Sequence, residues 1–584
     1  MSVLEEQAAG APPGGRSVIL GRSQVGAGVT GRRATGVHLA IAAACVACVV
    51  PLLWLDTAKP QPWLYFSWLA AMLLYLLQWP RPRGLIRWHP SRSLLAALGL
   101  YAVALFIGFC FIYDNWRFAV TGDSLLFYDI GERIVEGHVN PLSVRGVFDQ
   151  CTVVQATLQN VFMLVSESLF AHRLGNVLAS ALIVIAAALF AAQTSSATAA
   201  VLLGLFLPLN SVFLVFTLIS YPNLSGLLPY YAVYALFAAA WRVRDSNFLW
   251  AALGLACGLA PYFLPLWMGA VVVVSTGVVL SAWRWRSLRV CVVWAGGAFV
   301  ALVPALLQFR ALLNLYLIFQ PTAGLTLDYF LKIASQTFAL PVYLAQRTYG
   351  ADGAFLRPPF GYLFLAGVAL AAIGGVLALL GRPRGGALQH AWVWLFLYAS
   401  DAVGLALQNS GYGHISVKRA IVLLPAMHFL MVLPLAWLAE RVSRTWFTVG
   451  ITLAALVPYA YLNLNLFWWI EYGFNTGDAM VHITQVAPGK VLLVTRDPGL
   501  QRQYGPERFA GDLLDHMFHV RDHTIVSSSI PAQRSDLDRV VCFSRHIDGE
   551  EFGKQVRAAL AELCPNKPVE ALTAQMECVT CDPP

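Results

Sequence analysis

The acids of this chain gather in one short stretch. In "TGDSLLFYDIGERIVEGHVNPLS" (121–143), Asp123, Asp129, Glu132, Arg133 and Glu136 sit between two long apolar runs. A carboxylate in such a place can take the proton of an attacking hydroxyl, and Asp123 is the candidate for that work. It could instead cap a helix by accepting the N–H of Leu125 or Leu126, a task open equally to Ser124. Leu126, Ile130 and Ile134 recur at i, i+4 and i+8, which predicts an amphipathic helix suited to the membrane interface. It starts at "TGDS" and stops at "EGHVNP", where Gly137 and Pro141 are stop signals. Tyr128 and Asp129 on that helix are candidate substrate contacts, and Asp129, Glu132 and Glu136 otherwise read as a solvated face.

A second group is cationic. In "QNSGYGHISVKRAIVLLP" (408–425), Lys418 and Arg419 adjoin an apolar run. If residues 414–419 are helical, His414 and Lys418 share a face. Such cations suit a lipid phosphate, Arg as a bidentate fork and Lys as a point charge; headgroup anchoring is the other reading. Asp401, in "LFLYASDAVGLAL", lies roughly 9 Å deep in its run at 1.5 Å per residue. An acid there is by default functional, a candidate substrate contact facing a watery cavity; structural pairing with another span is the other reading. His428 reads as a hydrogen-bonded packing residue. "LTLDYFLKIASQTFALPVYLAQRTYG" reads as an interfacial helix pair carrying Asp328, Lys332 and Arg347, the last a further candidate contact. Walker, HExxH and GxSxG motifs and His/Cys metal spacings do not occur in the sequence.

These residues need a membrane around them. Of 584 residues, 58% are hydrophobic and 12% charged, with mean hydropathy +0.64. Soluble domains carry about 25% charged residues. Apolar runs long enough to cross a bilayer are read near 38–55, 62–79, 93–113, 172–192, 198–218, 222–241, 247–262, 265–282, 289–309, 359–380, 389–407, 420–440 and 445–467, about thirteen in all. Alternate connections are rich in arginine: Arg16 to Arg33, "RPRGLIRWHPSR", "WRVR", "WRWRSLR", "RPR" and "RVSR". By the positive-inside rule these face the cytoplasm. The loops 114–171, 310–358 and 408–419, and everything after about 468, then face outward. The net charge of +8 reflects topology, and no nucleic-acid partner is expected.

The expected organisation is a disordered cytoplasmic tail (1–35), a transmembrane domain (36–469) and an outer α/β domain (470–584). In the last, "KVLLVT", "HTIVSS" and "RVVCFS" read as strands and "EEFGKQVRAALAEL" (550–563) as a helix. It holds Cys542, Cys564, Cys578 and Cys581, expected as disulfides with three connectivities open. The Cys578–Cys581 spacing also allows a thiol-redox pair or half a zinc site. The other six cysteines read mostly as apolar fillers.

An acid after an outward-going span, an interfacial helix in the same loop, and a Lys/Arg pair on a later outer loop resemble the GT-C superfamily of integral membrane glycosyltransferases, which use polyprenyl-phosphate sugars. "GDSLLFYDIGERIVEGHVNPL" resembles the first loop of mannosyltransferase-like members, and "ESLFAHRLGNVLASAL" (167–182), with Arg173, the start of their next span. The likeness covers roughly 93–467 in topology and only the first loop in residues. It implies a GT-C-like polytopic helical fold in which Asp123 is the general base and Lys418 and Arg419 hold the lipid phosphate. Family members with a second acid carry it close to the first; here Asp129 is six residues on, off the same face, so no metal and no other cofactor is expected. The implied partners are a polyprenyl-phosphate-linked sugar, a glycan or lipid acceptor, and membrane lipids. The implied place is a bacterial inner membrane, with the C-terminal domain periplasmic or outside. A flippase for a lipid-linked substrate and a polysaccharide polymerase or ligase are the competing readings; His414 with Arg419 suits the latter.

Overall fold

The computed structural model describes residues 27–56, 59, 61–80, 122–144, 146–148, 151–166, 168–218, 222–263, 268–317, 327–342, 345–348, 351–353, 356–381, 385–410, 420–442, 444–474, 491–494, 524–527, 540–544, 550–565, 567–571 and 576–580. Every expected span among them is helical; the one at 93–113 lies outside the described residues. In order come α1 (Ala27–Val49), α2 (Pro62–Leu77), α3 (Gly122–Val135), α4 (Val153–Gln159), α5 (Leu169–Thr194), α6 (Ala197–Phe206), α7 (Ser211–Leu218), the single turn α8 (Pro222–Ser225), α9 (Leu227–Arg242) and α10 (Asn247–Leu259). Then follow α11 (Met268–Arg284), α12 (Leu288–Leu307), α13 (Phe309–Leu317), α14 (Leu327–Ala339), α15 (Phe360–Leu379), α16 (Trp392–Ser410), α17 (Leu424–Val442) and α18 (Thr445–Phe474). Among the described residues seven helices are long and apolar enough to cross a membrane, or eight if the bent pair α6–α7 is one span. By that measure Pro62–Leu77, Asn247–Tyr262 and Gly269–Arg284 are shorter apolar helices, so a count of thirteen is not confirmed.

Local chemistry explains the breaks. Pro208 lies in the turn between α6 and α7 and has no N–H to continue the ladder. Asn210 then accepts from the N–H groups of Val212 and Phe213, restarting the chain as α7 after a 63° bend. Pro304 inside α12 deprives the Val300 carbonyl of its usual donor, and the indole N–H of Trp68 takes that carbonyl at 3.2 Å. The Tyr262 hydroxyl repairs the next rung, donating to Ala301 O at 2.9 Å and accepting from Ala305 N at 3.0 Å. Glycines bring α10 and α12 together: a Cβ on Gly254 would stand 2.1 Å from Trp294 O, so only a bare backbone fits.

The helix ends fall into two groups tied by side-chain contacts. At one end, Asn140 donates to Asp56 O and Lys59 O, Gln308 bridges Leu142 O and Val144 N, Thr152 donates to Tyr262 O, and Gln155 donates to Ser225. At the other, His390 N donates to Thr194 O, Ser195 to Ala387 O, Glu440 accepts from Ala387 N, and Arg289 donates to Asn247. The second group carries Arg242, Arg284, Arg289 and Arg441 of the arginine-rich connections; the first lies by loops expected to face away from them.

Near the first group, α14 holds Asp328 and Lys332 as expected, but Arg347 is on a strand, β3 (Ala345–Thr348), paired antiparallel with β4 (Ala351–Gly353). The helix pair expected to carry Arg347 therefore ends sooner. Nor does α14 stand apart from the bundle: Ile333 and Ala334 pack on Ala406, and Tyr398 donates to Phe338 O at 2.9 Å two turns away along α16. A smaller antiparallel pair, β1 (Gly146–Phe148) and β2 (Cys151–Thr152), lies in the first loop.

The C-terminal segment is a mixed five-stranded sheet of order β6-β5-β7-β9-β8. β5 (Val491–Val494), β6 (Thr524–Ser527) and β7 (Val540–Ser544) match the three expected strands and run parallel. β8 (Glu570–Ala571) and β9 (Met576–Thr580) add antiparallel pairings. On α19 (Glu550–Leu563), Phe552, Val556 and Leu560 share a face and pack on Val494, Val541 and Phe543. Cys542 and Cys578 stand directly opposite across β7 and β9 and are disulfide-bonded. Cys578 is thus not paired with its near neighbour Cys581, which removes the CxxC redox and zinc readings. Cys564 is also disulfide-bonded, while Cys45, Cys48, Cys257 and Cys291 are free thiols.

Candidate active site

The roof of the candidate site is α3, and its placement follows from its sequence. Phe127, Tyr128, Gly131 and Ile134 form its buried face, shifted from the expected Leu126–Ile130–Ile134 line. Gly131 explains the shift: a Cβ there would meet Asn160 at 2.7 Å and the Met163 sulfur at 2.8 Å, so the helix lies flush on the turn after α4. Gly137, at φ +75°, ends the helix as expected, with His138 N returning to Arg133 O. Gly175 seats the other side: its Cβ would overlap Gln159 O at 1.8 Å, so α4 rests directly on α5.

A buried polar chain fixes the roof to the bundle. Asn160 donates through Nδ2 to Phe127 O at 2.6 Å, so its Oδ1 is the acceptor facing His172 Nδ1 at 2.5 Å. His172 therefore carries its proton on Nδ1, and its buried Nε2 has no partner among the described residues. Tyr128 meets the imidazole edge-on, ring centroids 5.7 Å apart. Arg173 is buried beside it at 1% exposure, and Ser168 caps the helix that presents both. Sequence reading did not single out His172 or Asn160. The available signal was a His-Arg pair in the first turn of an apolar span.

Asp123 is the second residue of α3, in the first turn, where the helix dipole favours a carboxylate. Its side chain lies outside the described residues, as do His414, Lys418 and Arg419 and the side chain of Arg347. Asp129 forms an ion pair with Arg133 one turn on, at 3.1 Å. Asp401 accepts from the Tyr230 hydroxyl at 2.5 Å, while its Oδ2 is buried without a partner among the described residues. Tyr230 is one turn into α9, beside the Ser225 contact to Gln155, which puts Asp401 toward the roof end of the bundle. α16 ends at Ser410 toward that same end, and the described chain resumes at Ala420. His428 is hydrogen-bonded at both ring nitrogens, to Leu424 O and to the Tyr459 hydroxyl, each at 2.6 Å. Its Nδ1 must donate to the carbonyl, so Nε2 accepts from Tyr459. Among the described residues no three His, Cys, Asp or Glu side chains converge.

The class defined by these observations is a polytopic helical membrane protein with a small disulfide-bonded α/β unit at its C-terminus. No family model matches the chain, and no curated protein does. Among solved structures, ArnT from Cupriavidus metallidurans bound to undecaprenyl phosphate is similar at 15% identity and TM-score 0.45, over 82% of this chain and 97% of that one. The archaeal oligosaccharyltransferase AglB from Archaeoglobus fulgidus, in complex with an inhibitory peptide and a dolichol-phosphate, is similar at 10% identity and TM-score 0.43, over 79% of this chain and 70% of that one. At these scores the likeness alone assigns neither a fold family nor a chemistry.

Proposed function

We propose that the chain is a membrane glycosyltransferase of the GT-C type, moving a sugar from a polyprenyl-phosphate donor to a glycan or lipid acceptor on the side opposite the arginine-rich connections. The observation that carries this reading is the clamped roof. Asn160, His172 and the glycine contacts hold α3 rigidly at one end of the bundle, with Asp123 in its first turn. Ser410 and Ala420, which bracket Lys418 and Arg419 in sequence, lie toward the same end. In the proposed reaction the carboxylate of Asp123 takes the proton of the acceptor hydroxyl. The hydroxyl oxygen then bonds to the anomeric carbon as the carbon–oxygen bond to phosphate breaks. The polyprenyl phosphate leaves with the electron pair, stabilised by the two cations. Base assistance of this kind is worth about 10²–10⁴-fold. A membrane-level site lets a lipid-held donor meet an acceptor from water.

The test is transfer from a panel of labelled polyprenyl-phosphate hexoses and pentoses by purified protein in lipid, with Asp123→Asn beside it. Donor-dependent product that falls at least a hundredfold in a folded Asp123→Asn supports the reading. Transfer that survives the substitution removes Asp123 as the base. Movement of the intact donor across vesicle bilayers without any transfer would favour a flippase instead.

A further inference from the structure

At the end of the bundle away from the roof, a cavity of about 440 Å³ opens between α5, α9, α11 and α16. Its body is aromatic, walled by Phe190, Tyr234, Phe237 and Phe396. At its mouth stand Trp241 and Trp392, each 41% exposed, the residue type that seats a helix at the headgroup level. The rim also carries Arg242 and His390. Arg242 spends one guanidinium N–H on the main-chain carbonyl of Gln193.

Gln193 itself lines the cavity and is only 3% exposed, yet among the described residues neither its amide nitrogen nor its oxygen has a hydrogen-bond partner. A buried amide left unpaired is costly; a ligand acceptor for its N–H group, with water donating to its oxygen, would satisfy both ends. Gln193 is 21 residues along α5 from His172, about 30 Å at 1.5 Å per residue. The cavity is therefore separate from the proposed reaction site and needs nothing of that reading beyond a membrane around the bundle.

We infer that this cavity is a binding site for one anionic membrane phospholipid. One of its acyl chains lies along the aromatic body, its phosphate meets Arg242 and His390, and an ester carbonyl accepts from the Gln193 amide. The charge at the rim argues for an anionic head. The apolar depth behind that rim, within a bundle whose neighbours are lipid, argues for a hydrocarbon chain rather than a soluble phosphate.

Native mass spectrometry of the full chain, released from micelles doped with dioleoyl phosphatidylglycerol or phosphatidylcholine, tests this. One retained phosphatidylglycerol is expected, with retention at least tenfold weaker in Arg242→Ala and in Val273→Trp. The latter fills the cavity from a half-exposed position and spares the core. Arg289→Ala, a cation at the same end but bonded to Asn247 outside the cavity, should retain the lipid. Equal retention in all variants overturns the site. Retention of phosphatidylcholine on equal terms, or displacement by inorganic phosphate alone, overturns the occupant.

Discussion

Replacing Tyr230 by Phe removes one hydroxyl from the interior and little else. That hydroxyl donates to Asp401 at 2.5 Å, joining α9 to α16, and the other carboxyl oxygen is already without a partner among the described residues. In soluble proteins a buried hydrogen bond to a charged group contributes about 1.5–3 kcal/mol. Within membrane bundles such pairs average about 0.6 kcal/mol and reach about 1.7, because the unfolded helices find other partners. Tyr230 and Asp401 belong near the upper figure: the contact is short, and both residues sit among packed rings, with Tyr231 and Tyr234 each 5.1 Å from Tyr230. Tyr230→Phe is therefore expected to cost about 1–2 kcal/mol in SDS-titration unfolding from mixed micelles, followed by tryptophan fluorescence. Asp401→Leu should cost less in the Tyr230→Phe background than in wild type, giving a coupling of about 1 kcal/mol. Additive effects, with a coupling under about 0.3 kcal/mol, would refute the hydrogen bond as the link between the helices. Asp401→Asn keeps an acceptor for Tyr230, so stability and sugar transfer should both stay close to wild type. A hundredfold loss of transfer at unchanged stability would instead make Asp401 a substrate contact.

Three further outcomes follow from the packing. Asn160→Ala cuts the bridge between Phe127 O and His172, and should lower kcat of the proposed transfer more than donor KM while span insertion, read by protease protection, stays unchanged; unchanged kcat would show that α3 needs no such clamp. Gly175→Ala places a methyl 1.8 Å from Gln159 O and should sharply reduce the yield of monodisperse protein, whereas Gly404→Ala, which meets nothing within 4 Å, should not; equal yields would refute the contact. Cys542→Ser opens a loop of 36 residues, and loop-closure entropy sets the loss at about 4 kcal/mol for the C-terminal unit. Limited proteolysis should then cut the sheet domain and spare the helices, and a domain as resistant as wild type would contradict that estimate.

What could be read from the residues alone depended on whether the causes were local. The amphipathic helix near Asp123 and its stop at Gly137 were legible because periodicity and a left-handed turn residue act within a few positions. So were the three parallel strands and α19, each a short apolar pattern complete in itself. The Cys542–Cys578 bond was not, since it depends on β9, a five-residue strand whose pairing with β7 no local pattern announces. Long-range chemistry hid the rest in the same way. His172 looks like one polar residue in a long apolar span until Asn160, twelve residues earlier, turns its amide oxygen toward the ring and leaves Nε2 without a partner among the described residues. Asp401 stood out by depth, but its meaning depends on Tyr230, which is 171 residues away in sequence and unremarked among 21 tyrosines. Arg347 misled for the opposite reason: it follows an amphipathic run, and nothing in that run marks where α14 gives way to β3. The arginine-rich connections differ from single residues because they are a collective signal. Each alternate loop votes separately, and the contacts from Asn140, Thr152, Gln155 and Gln308 gather the opposite set of helix ends under one roof. A collective signal of this kind suggests which ends of the spans belong together, while the pairings that surround a buried acid or histidine emerge only once the helices are packed.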